Sequence, residues 1–357
     1  MISQHDEVAK SQASTSKSRA AYYAWAGGLI FGVGFTLMIW LLRSHLQLFL
    51  DTLLPRNSAD WYYWKLPARN FWTMFVVWTF YLSHQFAIWA AIYWAQKNLS
   101  TVRPSGSLTK YNLAAFTITI AFVFLHLLQT QIWFDGLAQD VPIWTSQDSV
   151  IIMLAVMLII ENPRRGLFMG RRAGKPFTAR VTGFFRRNHM YIFSWAFVYT
   201  FWFHPMAADP QLLSGFFYMF LLFAQMSLAY TSVHLDKRWI ITLESYVAIH
   251  ALIVAIYNAA FFGSPEMWPM FFAGFAFMFV FTYTYALNVR RRIRWSITAL
   301  YLSFVAWLYL PSPIGLGRNI SLLLRLEVVW IPLILYGLSA AFAGLAYLTI
   351  ARRRIVA

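Results

Sequence analysis

An all-α polytopic membrane protein of about ten transmembrane helices is the fold class this sequence predicts. Three observations carry that expectation. Of 357 residues, 60% are hydrophobic and only 12% charged, where a soluble domain is about 25% charged. The apolar residues gather into runs near the roughly 20 residues that cross a bilayer. Lys and Arg fall between the runs, and mostly in alternate gaps. Aromatic residues at 19%, with 17 Trp, supply interfacial anchors.

The runs cover 21–42, 70–95, 111–133, 146–161, 189–204, 211–233, 239–262, 267–288, 295–311 and 328–350. The fourth and fifth are short for a full crossing, and read as tilted, thinned around or partly re-entrant. An eight-span arrangement would bury or re-enter that pair. Residues 1–20 are polar, lack the apolar core of a signal peptide, and read as a disordered cytoplasmic tail. Residues 21–352 read as a single transmembrane domain with a basic cytoplasmic loop at 163–188.

Charge placement orients the spans. Of the 29 Lys and Arg, only Arg43, Arg56, Lys65, Arg69, Arg318 and Arg325 fall in the outer gaps of the ten-span count. All others lie on the other side, which the positive-inside rule makes cytoplasmic, with both termini there. The net charge of +16 is then explained by topology and by anionic phospholipid headgroups at the inner surface. No nucleic-acid partner is expected. The expected location is the bacterial inner (cytoplasmic) membrane, with the bilayer itself as the main partner. The chain has no cysteine, which excludes disulfides, thiolate nucleophiles and thiolate metal sites.

In the first span Gly28 and Gly32 form a small-xxx-small pair, read as close helix packing inside the molecule. In the last, Gly337, Ala340, Ala341 and Gly344 read the same way. The basic loop reads first as a solvated anchor on lipid headgroups. Its alternative is an anion site in which Arg164 and Arg165, at the membrane edge, grip the phosphates of a nucleotide-like or coenzyme-like donor. No P-loop or Rossmann glycine spacing is present.

Polar groups inside hydrocarbon are the strongest pointers to function, because each costs at least a few kcal/mol unless paired or used. The ten-span count sorts them into layers. Glu161, Arg164, Arg165, His189, His234, Asp236 and Glu244 lie at the inner side. His126, Gln129, Gln131, Asp135, Asp140 and His204 lie toward the outer side, and His84 and His250 between. His126, Gln129, Thr130 and Trp133 share one helical face; Thr242, Tyr246, His250 and Tyr257 share another. Glu244 is turned about 120° from His250 at 100° per residue. Each has a plainer explanation. His84 and Gln129 read equally well as structural hydrogen bonds. Glu161 and Arg164, at i and i+3, read as an interfacial salt bridge. The span-five face of Tyr191, Trp195, Tyr199 and Trp202 reads as packing.

Three functions fit. The first is a membrane-embedded enzyme that transfers an acyl or similar group from an anionic cytoplasmic donor to a lipid-phase or outer-face acceptor. Its catalytic candidates are His126, His250, His84 and Glu244; its substrate-binding candidates are Arg164, Arg165, Glu161, Gln129, Gln131, Asp135 and His204. No motif of a known membrane acyltransferase is present. The second is a proton-coupled transporter, with Glu161 or Glu244, His250, His84, His126 and Asp135 as a relay. The third is b-haem or quinone redox work. Haem is the one cofactor considered, and it is disfavoured because no span carries two His at the spacing that serves stacked haems. No protein-bound metal is expected. The substrate, small molecule or lipid, and the oligomeric state are left open by the sequence.

Overall fold

The structure is a computed structural model and describes residues 18–46, 66, 69–142, 144–262 and 266–352. Residues 1–17 of the expected tail, and Arg56 and Lys65 among the outer cations, lie outside the described residues. Among the described residues the chain is helical, with no strand. The helices are α1 (Ala20–Leu41), α2 (Phe71–Asn98), α3 (Lys110–Trp133), α4 (Thr145–Arg165), α5 (Ala179–Phe203) and α6 (Pro210–Ser227). They continue with α7 (Lys237–Phe262), α8 (Trp268–Phe281), α9 (Arg291–Tyr309), the short α10 (Ile320–Leu324) and α11 (Trp330–Arg352).

Each expected apolar run lies on one of these helices. Seven are long and apolar enough to cross a membrane: α1, α2, α3, α4, α7, α8 with its 3-10 extension to Ala286, and α11. On α1, α2, α3, α7 and α11 a lipid-facing character shows in large apolar side chains left uncovered along their length, such as Ile30 (74% exposed) and Leu345. A soluble surface seldom carries so much exposed apolar area.

Two boundaries differ from the sequence expectation, for local reasons. The fourth run extends through Pro163 to Arg165, and helix resumes at Ala179, so helix covers both ends of the 163–188 segment. Gly166 ends α4: its N–H donates to Asn162 O at 3.0 Å with φ +75°, a left-handed cap that glycine adopts at no steric cost. The sixth run stops at Ser227 instead of reaching 233. Asn112 Nδ2 donates to the carbonyls of Ser227 and Ala229, both at 2.7 Å, and Tyr111 OH donates to that of Met226. Those side chains satisfy the carbonyls that a longer helix would have used.

The chain divides into two compact units, one of residues 1–146 with 190–240, the other of 147–189 with 241–357. In the first unit α1 packs on α6, and α3 packs on both α2 and α6. Gly28 makes the α1–α6 approach close: a Cβ there would lie 3.0 Å from that of Ala224. The core is aromatic, with Phe201, Phe216 and Phe223 in edge-to-face contact. In the second unit α8 packs on α9 and α11. Tyr301 OH reaches the Ala273 carbonyl at 3.3 Å, and Ser339 Oγ that of Ala155 at 3.0 Å.

Candidate functional site

Among the described residues, each unit holds a polar centre built on residues the sequence singled out. The first is built where α2 begins and where α3 and α5 end. Asn70 caps α2, its Oδ1 accepting from the N–H groups of Trp72 and Thr73 at 2.9 and 3.1 Å. That cap sets Arg69 at the mouth of the helix. Helix α3 ends on Phe134 in the left-handed conformation, φ 46°, and the turn brings Asp135 back to Arg69. Arg69 Nη2 lies 2.7 Å from Asp135 Oδ2, and the same guanidinium pairs with Asp140. Trp78 Nε1 donates to Asp140 Oδ2 at 2.6 Å. The Gly136 N–H donates to the other Asp135 oxygen at 2.7 Å.

The two carboxylates differ. Burial pushes the Asp135 carboxyl above its usual range, only partly offset by Arg69. Burial also acts upward on Asp140, but hydrogen bonds from Arg69 and Trp78 together outweigh it and hold that carboxyl below the usual range. Burial of Arg69 itself is outweighed by its two carboxylate partners.

From Asp135 a chain of contacts runs into the helices. Gln129 Nε2 donates to the Asp135 carbonyl at 3.1 Å, which fixes the amide's orientation. Its Oε1 then faces His126 Nδ1 at 3.1 Å, while His126 Nε2 lies 2.9 Å from the His204 carbonyl. That carbonyl sits just past the end of α5, followed by Pro205, where no continuing helix supplies a donor. Both His126 nitrogens therefore face oxygen. A neutral imidazole satisfies one; a protonated ring satisfies both. Thr130, on the same face, accepts from the Met206 N–H at 2.9 Å.

Trp202 lies between the two buried histidines. Its ring is 4.3 Å from that of His126, and its Nε1 donates to His84 Nδ1 at 3.2 Å. His84 stacks on Phe122 at 4.6 Å with planes 5° apart. Both imidazoles are fully buried.

The second centre closes α4. Arg165 makes a bidentate pair with Glu244 of α7, at 2.5 and 2.7 Å, with both side chains buried. Tyr283 covers the guanidinium, 4.7 Å from ring centre to Cζ. Arg164 makes an ion contact with Glu161 at 2.5 Å. That contact is made by Nη2; Arg164 Nε has no hydrogen-bond partner among the described residues. Beside this centre Thr282 Oγ1 holds the Leu167 carbonyl at 2.8 Å and Tyr336 OH at 2.6 Å, fixing the turn after α4.

The structure thus brings together His84, His126, Gln129, Asp135 and the His204 carbonyl in one unit, and Glu161, Arg164, Arg165 and Glu244 in the other. Gln131 sits beside the first group, its carbonyl facing His45 Nε2 at 3.2 Å. His250 lies half-buried on α7 in the second unit. Among the described residues, no group of three or more His, Asp or Glu is placed to hold a metal ion. Sequence reasoning missed three members. Arg69 counted only as an outer cation, Trp202 as packing, and Tyr283 was not singled out. The signal for Arg69 was available: a lone cation before an Asn-x-x-Thr cap, facing an acidic turn in the ten-span count.

Seven apolar helices among the described residues define a multi-pass helical membrane protein. Comparison with protein-family models, curated proteins and solved structures gives no match.

Proposed function

We propose that this protein is a proton-coupled membrane carrier whose proton rests on the His126 network. The observation that supports this reading over group transfer is the surroundings of the ring. His126 has a carbonyl oxygen opposite each nitrogen, so an imidazolium there would have both N–H groups accepted and no lone pair is turned to a substrate. A general base instead needs a lone pair free to meet its substrate. Asp135, Arg69 and Asp140 close the far end of the network, and Arg69 is the cation that exchange of a proton would perturb. A buried, paired ionisable cluster inside a membrane helix bundle is the usual mark of such a path.

Ten crossings, both termini cytoplasmic, belong to the same reading. Each ion pair supports it by joining segments that the ten-span count puts at one end: Arg69 with Asp135 and Asp140, Arg165 with Glu244, and Arg318 with Glu266 and Glu327. The basic 163–188 segment would lie on anionic headgroups of a bacterial cytoplasmic membrane.

The acyl-transfer reading retains one supporting observation, the unpartnered Nε of Arg164, which would suit a phosphate or carboxylate that displaced Glu161 from the neighbouring Nη2. Arg165 suits it less, since Glu244 already takes its end-on fork.

Proteoliposomes loaded with a pH dye separate the two. Panels of amino acids, sugars and organic cations are added outside, and the carrier reading expects at least one to drive a pH change in the lumen. His126→Gln and Asp135→Asn should abolish that change, and Arg164→Ala should leave it intact. Should no solute move protons, and should a long-chain acyl thioester be consumed in an Arg164-dependent way, the carrier reading is wrong.

A further inference from the structure

We infer that the first unit holds bound water between α2 and α3, at His84, Gln85 and Thr119. This rests on the orphaned atoms alone and goes beyond the carrier reading. His84 Nδ1 accepts the indole proton of Trp202, so the ring's own proton is on Nε2. That Nε2 has no hydrogen-bond partner among the described residues, and neither do Gln85 Nε2, Gln85 Oε1 or Thr119 Oγ1. The three residues are 0%, 3% and 5% exposed.

These atoms occupy one level of the helix pair. Arg69 on Asp135 and His84 on Phe122 fix an antiparallel register for α2 and α3. With that register, at 1.5 Å per residue, Thr119 and Gln85 differ by only about 3 Å along the axis. Thr119, Phe122 and His126 share a face of α3 at i, i+3 and i+7. The orphaned level therefore lies directly inward of the satisfied His126 network.

Left dry, each buried unpaired group costs about 1–3 kcal/mol. Four together would consume a large part of the 5–15 kcal/mol that is typical of net stability. The chemistry present is what water can answer: an imidazole N–H, an amide with both donor and acceptor, and a hydroxyl. Bound waters take two to four such partners each. Water here would extend a hydrogen-bonded line from the Arg69–Asp135 end past His126 and Trp202 toward the middle of the helix pair.

The test uses the sign of a stability change. If these atoms are dry, near-isosteric apolar replacement removes an unpaid desolvation and stabilises the fold; if they hold water, it strips the water of ligands and destabilises. Gln85→Leu and Thr119→Val in the full chain should each lower the thermal unfolding midpoint. A rise in both overturns the inference. The second readout is solid-state NMR in bilayers with 15N-labelled histidine, the His84 signal assigned by its loss in His84→Phe. Magnetisation from water should reach His84 Nε2 about as fast as it reaches the exposed His45, and this transfer should be lost in the Gln85→Leu, Thr119→Val double variant. A His84 signal that never builds up from water overturns the inference, whatever the carrier assays give.

Discussion

The Arg69 and Arg165 centres contrast in how their charge is used. In the second unit Arg165 and Glu244 face each other end-on, one cation to one anion, under Tyr283. In the first, one cation, Arg69, serves two carboxylates, and a line of neutral donors and acceptors leads from them to His126. A closed pair of equal charges has no reason to take up a proton. The Arg69 cluster carries one net negative charge, and on the carrier reading proposed above a proton on the His126 network would bring it to zero. The first pattern is that of a brace; the second is the one the proposed carrier reading uses.

The largest effect should come from breaking the brace. Arg165→Ala or Glu244→Ala leaves an unpaired charge in the bundle, and each should cost about 3–5 kcal/mol of stability. The Arg165→Met, Glu244→Leu double variant should recover most of that loss. Thermal unfolding in detergent measures both. If the double variant folds stably but proton coupling is lost, the second centre is not merely a brace and the contrast fails.

Next in size is the response of the first centre to acid, where the two carboxylates pull in opposite directions. Asp135 is held above the usual carboxylate range, so the folded state binds its proton more readily than the unfolded chain does. Its ionisation costs stability at neutral pH, and acidification through its raised pKa relieves that cost. Asp140 is held below the usual range, so its contribution is present above the unfolded pKa and is lost as pH falls through the folded one. Stability should therefore rise slightly as pH falls toward the ordinary aspartate range, then drop below it. Asp135→Asn should remove the rise and Asp140→Asn the drop. Infrared carboxyl bands should show Asp135 protonating first; the reverse order would undo the assignment.

The smallest effect sharpens the comparison. Trp202→Phe keeps an aromatic ring between the histidines but removes the donor to His84 Nδ1, at about 1 kcal/mol for one hydrogen bond. It should also release the ring's tautomer, visible in the 15N shifts of His84. Unchanged shifts would mean that the indole does not fix that ring.

Helix existence was legible because it depends on local chemistry. Bilayer-length apolar runs leave the backbone no partner but itself, and every run marked in the sequence lies on a helix. Helix ends were less legible. The end of α6 is set by Asn112 and Tyr111, more than a hundred residues earlier in the chain, and no property of residues 228–233 announces it. The local pair Glu161 and Arg164 was visible from spacing, since i and i+3 meet on any helix. The pairing of Arg165 was not. Its neighbour in sequence, Arg164, has the same composition and the same edge position, yet Arg165 is 2% exposed and bound to Glu244.

By itself the sequence determined that this chain lives in a bilayer, where its helices run, and which few polar residues had to be accounted for. Solvation imposes those facts residue by residue, whatever the packing. Only the tertiary structure decided who answers whom: Asp135 with Arg69, Glu244 with Arg165, His126 with Gln129 and the end of α5. Two side chains meet only if their helices are rotated and staggered to bring them within about 3 Å. Rotation and stagger come from the fit of whole faces, such as Gly28 against Ala224, rather than from the charges themselves.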